Sequence, residues 1–409
     1  MNRKKSVQKG LIAGARSEME KTMKELGIYI HIPFCERKCL YCDFLSGCGS
    51  DLDKEQYVEA LIKDIVNTSH IAKDYIVKTI YMGGGTPSVL SPLFTERIMK
   101  TVYDNYNIDE NVEATIEINP KTADYFKLKR YISCGFNRLS IGLQSSNNEE
   151  LKLLGRIHTF EEFLQTYDEA MRAGFDDISV DVMSAIPGQS ISSYENTLKK
   201  VIMLRPKHIS SYSLIVEENT PFYEMYGENG ENQNLLVGED DERKMYYLTK
   251  ELLGKAGYER YEISNYSKPG YESRHNTNYW LRKEYLGFGA SAASYINNER
   301  YTSICDVDEY VKYVNSQKNG MDYEIPKSES FILSKDNRVE ESIFLGLRMI
   351  NGISLKEFEE EFGFDIQAIY GNVIKKYVDM GYMELSEGVL RLTEDGIDVS
   401  NTIFADFIK

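Results

Sequence analysis

Three cysteines lie within eight residues near the start of this 409-residue chain, a spacing suited to metal or cluster chemistry. They are Cys35, Cys39 and Cys42, in the segment HIPFCERKCLYCDF. Thiolates are soft ligands that bind iron–sulfur clusters or zinc. Structural zinc sites usually close with four ligands in two separated pairs, and no second pair follows here. The spacing therefore favours a four-iron cluster that leaves one iron open to a further ligand.

The other three cysteines carry no comparable signature. Cys48 could be a fourth ligand, but its spacing favours a bystander, and Cys134 and Cys305 are expected to be free thiols. Only six cysteines, three of them within eight residues, make a poor disulfide framework for so long a chain. We therefore expect a reducing compartment, the cytoplasm.

Composition excludes some classes of function. The chain is 42% hydrophobic and 27% charged, as in ordinary globular proteins. Its net charge of −16 argues against nucleic-acid binding, because phosphates are contacted mainly by clustered Lys and Arg. No apolar run approaches the roughly 20 residues that a membrane-spanning helix needs.

Six short segments rich in β-branched residues alternate with amphipathic stretches through the first half of the chain. The predicted strands are 27–34, 78–83, 113–118, 138–143, 177–184 and 208–216, with helices at 55–68, 161–173 and 191–204 among others. Alternation of this kind implies a parallel sheet with right-handed crossovers. Six units favour a partial (β/α)₆ barrel, although periodicity alone also allows an open sheet.

The chain divides into four predicted regions. They are an N-terminal extension (1–26), the barrel (27–226), a linker with a small β-rich layer (227–335) and a C-terminal module (336–409). In the last region, helices at 339–349, 355–361 and 366–381 precede a hairpin at 383–393 whose turn is Glu387-Gly388. This order is typical of a winged-helix-like module, here expected to pack or bind a partner.

The cysteine loop and several motifs that follow it resemble the radical S-adenosylmethionine (SAM) superfamily. The wider pattern, from Gly27 to Gly396, resembles the oxygen-independent coproporphyrinogen oxidases and HemW-type haem chaperones. The resemblance implies a [4Fe–4S] cluster on the three cysteines and one-electron cleavage of SAM to methionine and a 5′-deoxyadenosyl radical. The SAM-binding residues that it implies are Tyr29, Gly84, Gly85, Thr86, Glu117, Gln144, Arg156 and Asp181. Most of them follow strand ends, where barrel sites are built.

Two features favour the chaperones within this group. Phe44 occupies a position where the oxidases carry a further cysteine, and the segment from His275 to Trp280 matches the HNxxYW motif of the HemW-type proteins. His275 is a candidate haem ligand, although a structural histidine is an open alternative. Ala293 stands where relatives commonly have a histidine, which puts any two-histidine model in doubt.

The resemblance therefore predicts a haem chaperone that binds the cluster, SAM and haem. Its partners would be haem or another tetrapyrrole and a haem-acceptor protein, which could be membrane-associated. SAM cleavage is expected and coproporphyrinogen oxidation is doubtful. The alternatives are a coproporphyrinogen III oxidase or other radical SAM enzyme acting on a tetrapyrrole, and a catalytically silent binding protein.

Overall fold

Twelve strands form one mixed sheet at the centre of the structure, a computed structural model that describes residues 23–408. The strands are β1 (Lys24–Ile32), β2 (Tyr75–Gly84), β3 (Ile108–Ile118), β4 (Arg138–Gln144), β5 (Asp177–Ser184), β6 (His208–Ser213), β7 (Glu259–Arg260), β8 (Asn265–Ser267), β9 (Tyr285–Phe288), β10 (Ala293–Ile296), β11 (Glu299–Thr302) and β12 (Glu329–Ile332). Strands β1 to β6 are parallel and lie side by side in chain order. The sheet does not close on itself, which confirms the partial barrel.

Helices connect and cover the parallel strands. They are α1 (Asp51–Thr68), α2 (Pro92–Asn105), α3 (Tyr125–Ser133), α4 (Asn148–Leu153), α5 (Phe160–Ala173), α6 (Ile191–Leu204), α7 (Pro221–Tyr226) and α8 (Glu239–Lys255). Capping boxes at Ser50 and Thr159 fix where α1 and α5 begin. Within residues 23–408, no helix combines the length and apolar composition that a membrane crossing requires.

Strand periodicity separates the core from the interior of the barrel. In β1, Ile28, Ile30 and Ile32 are fully buried and join one hydrophobic cluster with Tyr57 and Leu61 of α1. The intervening residues of a strand point to the opposite face of the sheet. On β2 to β5 that face carries polar side chains, which makes the barrel interior a site for ligands rather than a packed apolar core.

Short strands from the region with the predicted small β-rich layer extend both edges of the sheet. Strand β9 pairs parallel to β1, and β10, β11 and β12 follow it as antiparallel strands. At the other edge, β8 pairs with β6 and β7 pairs with β8. The free backbone edges of β1 and β6 recruit these strands. The segment also contains two unpredicted helices, α9 (Arg274–Trp280) and α10 (Val307–Ser316).

The C-terminal residues build a module with its own hydrophobic cluster. Its elements are α11 (Lys335–Gly346), β13 (Ile353–Ser354), α12 (Leu355–Phe362), α13 (Ile366–Asp379), β14 (Met383–Ser386), β15 (Val389–Leu392), α14 (Glu394–Asp398) and α15 (Ser400–Ala405). Glu387 and Gly388 join β14 to β15 with φ values of 51° and 77°, as a tight hairpin turn requires. This confirms the predicted hairpin and its turn.

The predicted region boundaries stay predictions. Strand β1 begins at Lys24, inside the predicted N-terminal extension, and residues 1–22 of that extension lie outside the described residues.

Candidate cofactor-binding site

The three cysteines of the motif lie on a loop directly after β1. A backbone hydrogen bond from Cys35 N to Gly47 O at 2.9 Å folds this loop onto itself, and one from Leu40 N to Leu154 O at 3.1 Å fixes it to the end of α4. All three cysteines line one cavity of about 490 Å³. The loop therefore presents its thiols to the mouth of the barrel.

Three thiols on one loop suit a [4Fe–4S] cluster that leaves one iron open. Among the described residues, no three His, Cys, Asp or Glu side chains converge as the ligands of one metal ion do. A [4Fe–4S] cluster does not require three ligands to converge on one ion, because each thiolate binds a different iron. Cys48 is exposed, donates to Glu36 O at 3.2 Å and is not among the residues that line the cavity.

Polar neighbours surround the sulfur atoms. The Sγ atom of Cys35 lies 3.4 Å from Thr86 Oγ1, and Arg156 Nη1 donates to Cys39 Sγ at 3.5 Å. Burial raises the pKa of the Cys35 and Cys42 thiols above the usual value. The positive charge of Arg156 acts in the opposite direction on Cys35, since it favours the thiolate form that a cluster needs.

Residues of β2 to β5 and of the loops that follow them complete the cavity wall. Seven of the eight predicted SAM-binding residues line the same cavity as the cysteines, and these are Gly84, Gly85, Thr86, Glu117, Gln144, Arg156 and Asp181. The carboxyl ends of parallel barrel strands meet at one face, which is why residues so distant in sequence converge. A volume of this size suits a small molecule.

Two glycines, Gly84 at the end of β2 and Gly85 just after it, allow the cysteine loop to pack against that strand. Gly85 N donates to Ile32 O at 2.8 Å, and Thr86 N donates to Phe34 O at 2.8 Å. A Cβ atom on Gly85 would lie 2.7 Å from Phe34 O. Gly84 has a φ of 110°, which side-chain-bearing residues rarely adopt. The glycines therefore bring the second loop within backbone contact of the first.

Two carboxylates face the cavity, Glu117 from β3 and Asp181 from β5, with β4 between them. Glu117 accepts hydrogen bonds from Tyr81 OH at 2.7 Å and from Gly84 N at 3.2 Å. Burial raises the pKa of Glu117 to about 7, and it also raises the pKa of Asp181. Asp181 accepts from Ser140 Oγ at 3.2 Å. Either carboxylate could accept hydrogen bonds from an ammonium or a ribose hydroxyl of a ligand.

Arg156 and Gln144 are held in place by hydrogen bonds. Arg156 Nη2 donates to Asn119 Oδ1 at 2.7 Å, and Asn119 in turn donates to Thr86 Oγ1 at 2.8 Å. Gln144 Oε1 accepts from Tyr212 OH at 2.8 Å. Sequence reasoning missed Asn119 and Tyr212, although Asn119 stands two residues after Glu117 and could have been found from that position.

Tyr29 is the one predicted SAM-binding residue that does not line this cavity. Its hydroxyl is hydrogen-bonded to His31 Nδ1 at 3.0 Å. Tyr29 lines a second cavity of about 630 Å³, here named the lateral cleft, which lies between β1, β9, β10, β11 and helix α11. Phe44 and Asp43 line both cavities, so the cysteine loop forms their shared wall.

The position of His275 does not support its prediction as a haem ligand. The side chain is 2% exposed, with Nδ1 2.8 Å from Thr79 Oγ1 and Nε2 2.8 Å from Tyr279 OH. Burial lowers the pKa of His275 to about 3, so its ring is neutral. Since both nitrogens are engaged, neither is free to coordinate iron in this arrangement, and the contacts are those of a structural histidine.

An open parallel barrel with a three-cysteine loop and a polar cavity at its carboxyl face defines a radical SAM protein. Residues 29–201 match the family model described as the radical SAM superfamily, and residues 333–399 match the model described as the HemN C-terminal domain. Coproporphyrinogen III oxidase (HemN) from Escherichia coli has a similar structure, with a TM-score of 0.83 and 22% identity. The match covers 95% of this chain and 91% of that chain.

Curated relatives define the family more narrowly. The heme chaperone HemW of Lactococcus lactis is 33% identical over 93% of this chain and 96% of its own length. The heme chaperone HemW of Bacillus subtilis is also 33% identical, over 93% of this chain and 98% of its own length. The chain belongs to the HemW family of the radical SAM superfamily.

Proposed function

We propose that this protein is a haem chaperone that binds a [4Fe–4S] cluster, SAM and haem and delivers haem to acceptor proteins. The observation that carries the proposal is the shared cavity, which collects Cys35, Cys39 and Cys42 with seven predicted SAM-binding residues. The similarity to relatives named heme chaperone HemW over nearly the whole chain supports the haem-delivery part.

The residues of the cavity have distinct roles in this proposal. The cysteines hold the cluster, Arg156 contacts a cluster thiolate, and Glu117 and Asp181 orient the polar groups of SAM. When bound, the cluster supplies one electron for the reductive cleavage of SAM. The wall formed by the cysteine loop limits the access of water and oxygen. A reducing cytoplasm, the proposed location, keeps the thiols available to iron.

Phe44 supports a chaperone rather than a coproporphyrinogen III oxidase. By resemblance, the oxidases carry a cysteine at this position, in the loop that holds the cluster. Here the side chain is apolar and 62% exposed, at the wall that the two cavities share. A phenyl ring supplies no thiol, so any reaction that needs a cysteine at this position is lost.

The proposal is tested with anaerobically reconstituted protein in two parallel assays. In the first, coproporphyrinogen III, SAM and a reductant are added, and products are separated by chromatography. We expect no protoporphyrinogen IX. In the second, haem-loaded protein is mixed with apomyoglobin as a generic acceptor, and the absorption spectrum is followed. We expect one haem per chain and its transfer to the acceptor.

The outcomes separate the two functions. Formation of protoporphyrinogen IX with consumption of SAM would replace the chaperone by the oxidase. Failure to bind haem in stoichiometric amount would reject the chaperone, and retention of haem in the presence of excess acceptor would reject delivery.

A further inference from the structure

The lateral cleft is large and lies apart from the proposed SAM cavity. Its volume is about 630 Å³, and it extends from β1 across β9 to β11 and up to helix α11 of the C-terminal module. Phe44 and Asp43 separate it from the cysteine-lined cavity. A ligand in the cleft would therefore lie beside the cluster loop without displacing SAM.

Aromatic rings form much of the cleft wall. Tyr29, Tyr279, Trp280, Tyr285 and Tyr295 all line it. Tyr279 and Tyr285 hold each other in an edge-to-face contact with ring centroids 4.6 Å apart. Such walls favour a flat, apolar, aromatic ligand, because ring faces and edges offer large contact area at little entropic cost.

One cation on this wall can exchange its partner. Arg300 is already paired, because its Nε and Nη2 donate to the Glu341 carboxylate at 2.9 and 2.8 Å. The Arg282 side chain is 7% exposed, pairs with the half-exposed Glu361 at 3.0 Å and lies over the Phe362 ring, 5.5 Å from its centroid. Within the described residues, Arg282 Nε and the indole Nε1 of Trp280 have no hydrogen-bond acceptor. These two atoms have almost no exposed surface, so a ligand carboxylate would reach Arg282 through the Nη1 that now donates to Glu361.

The histidines near the cleft are not available as iron ligands. His31 is hydrogen-bonded through Nδ1 to Tyr29 and through Nε2 to Leu45 O at 3.0 Å. His275 is engaged through both nitrogens, as described above. A flat ligand in the cleft would thus be recognised by its faces and its acidic groups.

We propose that the lateral cleft binds the tetrapyrrole, with its ring against the tyrosine and tryptophan wall and a propionate carboxylate against Arg282, without a histidine ligand to iron. This inference rests on the proposed function and adds the location and the mode of recognition. The exchange of Glu361 for the propionate on Arg282 is the central step.

The test compares three ligands on the full-length, cluster-loaded protein by absorbance titration. Haem and iron-free protoporphyrin IX should bind with affinities within about threefold of each other, because iron ligation contributes little. The dimethyl ester of haem should bind about tenfold more weakly, since it has lost its charged hydrogen-bond acceptors.

Variants then locate the site. Arg282→Gln should weaken haem binding about tenfold but leave the affinity for the ester unchanged. Glu361→Gln is the matched control, because it breaks the same salt bridge without removing the cation, and should leave haem binding equal or tighter. Ala293→Glu places a negative charge, like that of the haem propionates, on the cleft wall. It should weaken haem binding by at least as much as Arg282→Gln does. Iron content reports whether each variant folds.

Each result decides the inference. Equal affinities for haem and its ester, or an effect of Glu361→Gln as large as that of Arg282→Gln, would overturn it. So would loss of haem binding in His275→Gln with normal binding in Arg282→Gln and Ala293→Glu. Failure of the wild-type protein to bind any of the three ligands would instead reject the proposed function itself.

Discussion

The guanidinium of Arg156 reaches from the barrel to the cluster loop, where its Nη1 lies 3.5 Å from the Sγ atom of Cys39. The second nitrogen, Nη2, is bound to Asn119 Oδ1 and to Gly142 O, so the guanidinium is fixed from behind. Burial between these partners keeps a positive charge next to a thiolate without competition from solvent.

We expect Arg156→Gln to make the reduction potential of the cluster more negative. A hydrogen bond and a positive charge at a ligand sulfur stabilise the reduced cluster, and the variant loses the charge. The potential is measured by a redox titration followed by electron paramagnetic resonance. Arg37→Gln is the control, since it removes an equal charge from the same loop, and Arg37 makes no hydrogen bond to a cluster cysteine in the described structure. Equal potentials in the two variants would contradict the role of Arg156.

The cysteine set is tested by iron content. Cys35→Ala, Cys39→Ala and Cys42→Ala should each lose most of the cluster after anaerobic reconstitution. Cys48→Ala should keep about four irons per chain, because Cys48 is exposed and donates to Glu36 O outside the cavity. Stoichiometric zinc without visible absorbance in untreated protein would reject the cluster.

SAM affinity should depend on pH through Glu117. Burial raises the pKa of this carboxyl to about 7, with help from the negative charge of Asp181, and the hydrogen bonds from Tyr81 and Gly84 act against the shift. The ionised form pairs with the ammonium of SAM. Below pH 7 a proton must first leave the Glu117 carboxyl, so SAM affinity should fall by up to about tenfold per pH unit. Above pH 7 the affinity should level off until the α-ammonium of SAM itself loses its proton, at roughly pH 8.

Calorimetry on cluster-loaded protein measures this profile. Glu117→Gln should bind SAM about tenfold more weakly than the wild type at high pH. Its affinity for SAM should not change with pH below 7. Asp181→Asn should shift the dependence to lower pH, because the loss of its charge lowers the pKa of Glu117. A wild-type profile that is flat down to pH 5.5, about 1.5 units below the pKa, would show that Glu117 does not pair with SAM.

Asp64 should make the free energy of unfolding depend on pH. This buried residue of α1 accepts hydrogen bonds from Tyr310 OH and Tyr323 OH, both at 2.8 Å. Burial raises its pKa to about 6 in the folded chain, above the value of 3.8 in the unfolded chain. The protonated form therefore stabilises the fold at low pH, and that contribution is lost as pH rises through about 6.

Urea unfolding at a series of pH values measures this contribution. The wild-type free energy of unfolding should fall by about 1.4 kcal/mol for each unit by which the pKa is raised. Asp64→Asn removes the titrating group, so its curve should lack this fall, whereas Asp104→Asn, at an exposed position, should follow the wild type. Parallel curves for wild type and Asp64→Asn would contradict the raised pKa.

Local signals determined much of the fold. The helix predicted at 191–204 has the same bounds in the structure, because Ser190 caps its start and an apolar face repeats along it. The cysteine motif could also be recognised from the sequence, because its three residues lie close together in the chain. Glu117 and Gln144, near the carboxyl ends of β3 and β4, could be inferred to meet because parallel barrel strands end at one face.

Only the tertiary structure decided the outer strands and the environment of His275. Strands β7 to β12 are two to four residues long and exist through pairing with the edges of β6 and β1, which no local pattern encodes. The ring nitrogens of His275 are bound by Tyr279, one helical turn away, and by Thr79, 196 positions away in the chain. A motif fixes which side chain is present, but whether its nitrogens remain free depends on contacts that form only when distant strands and helices pack together.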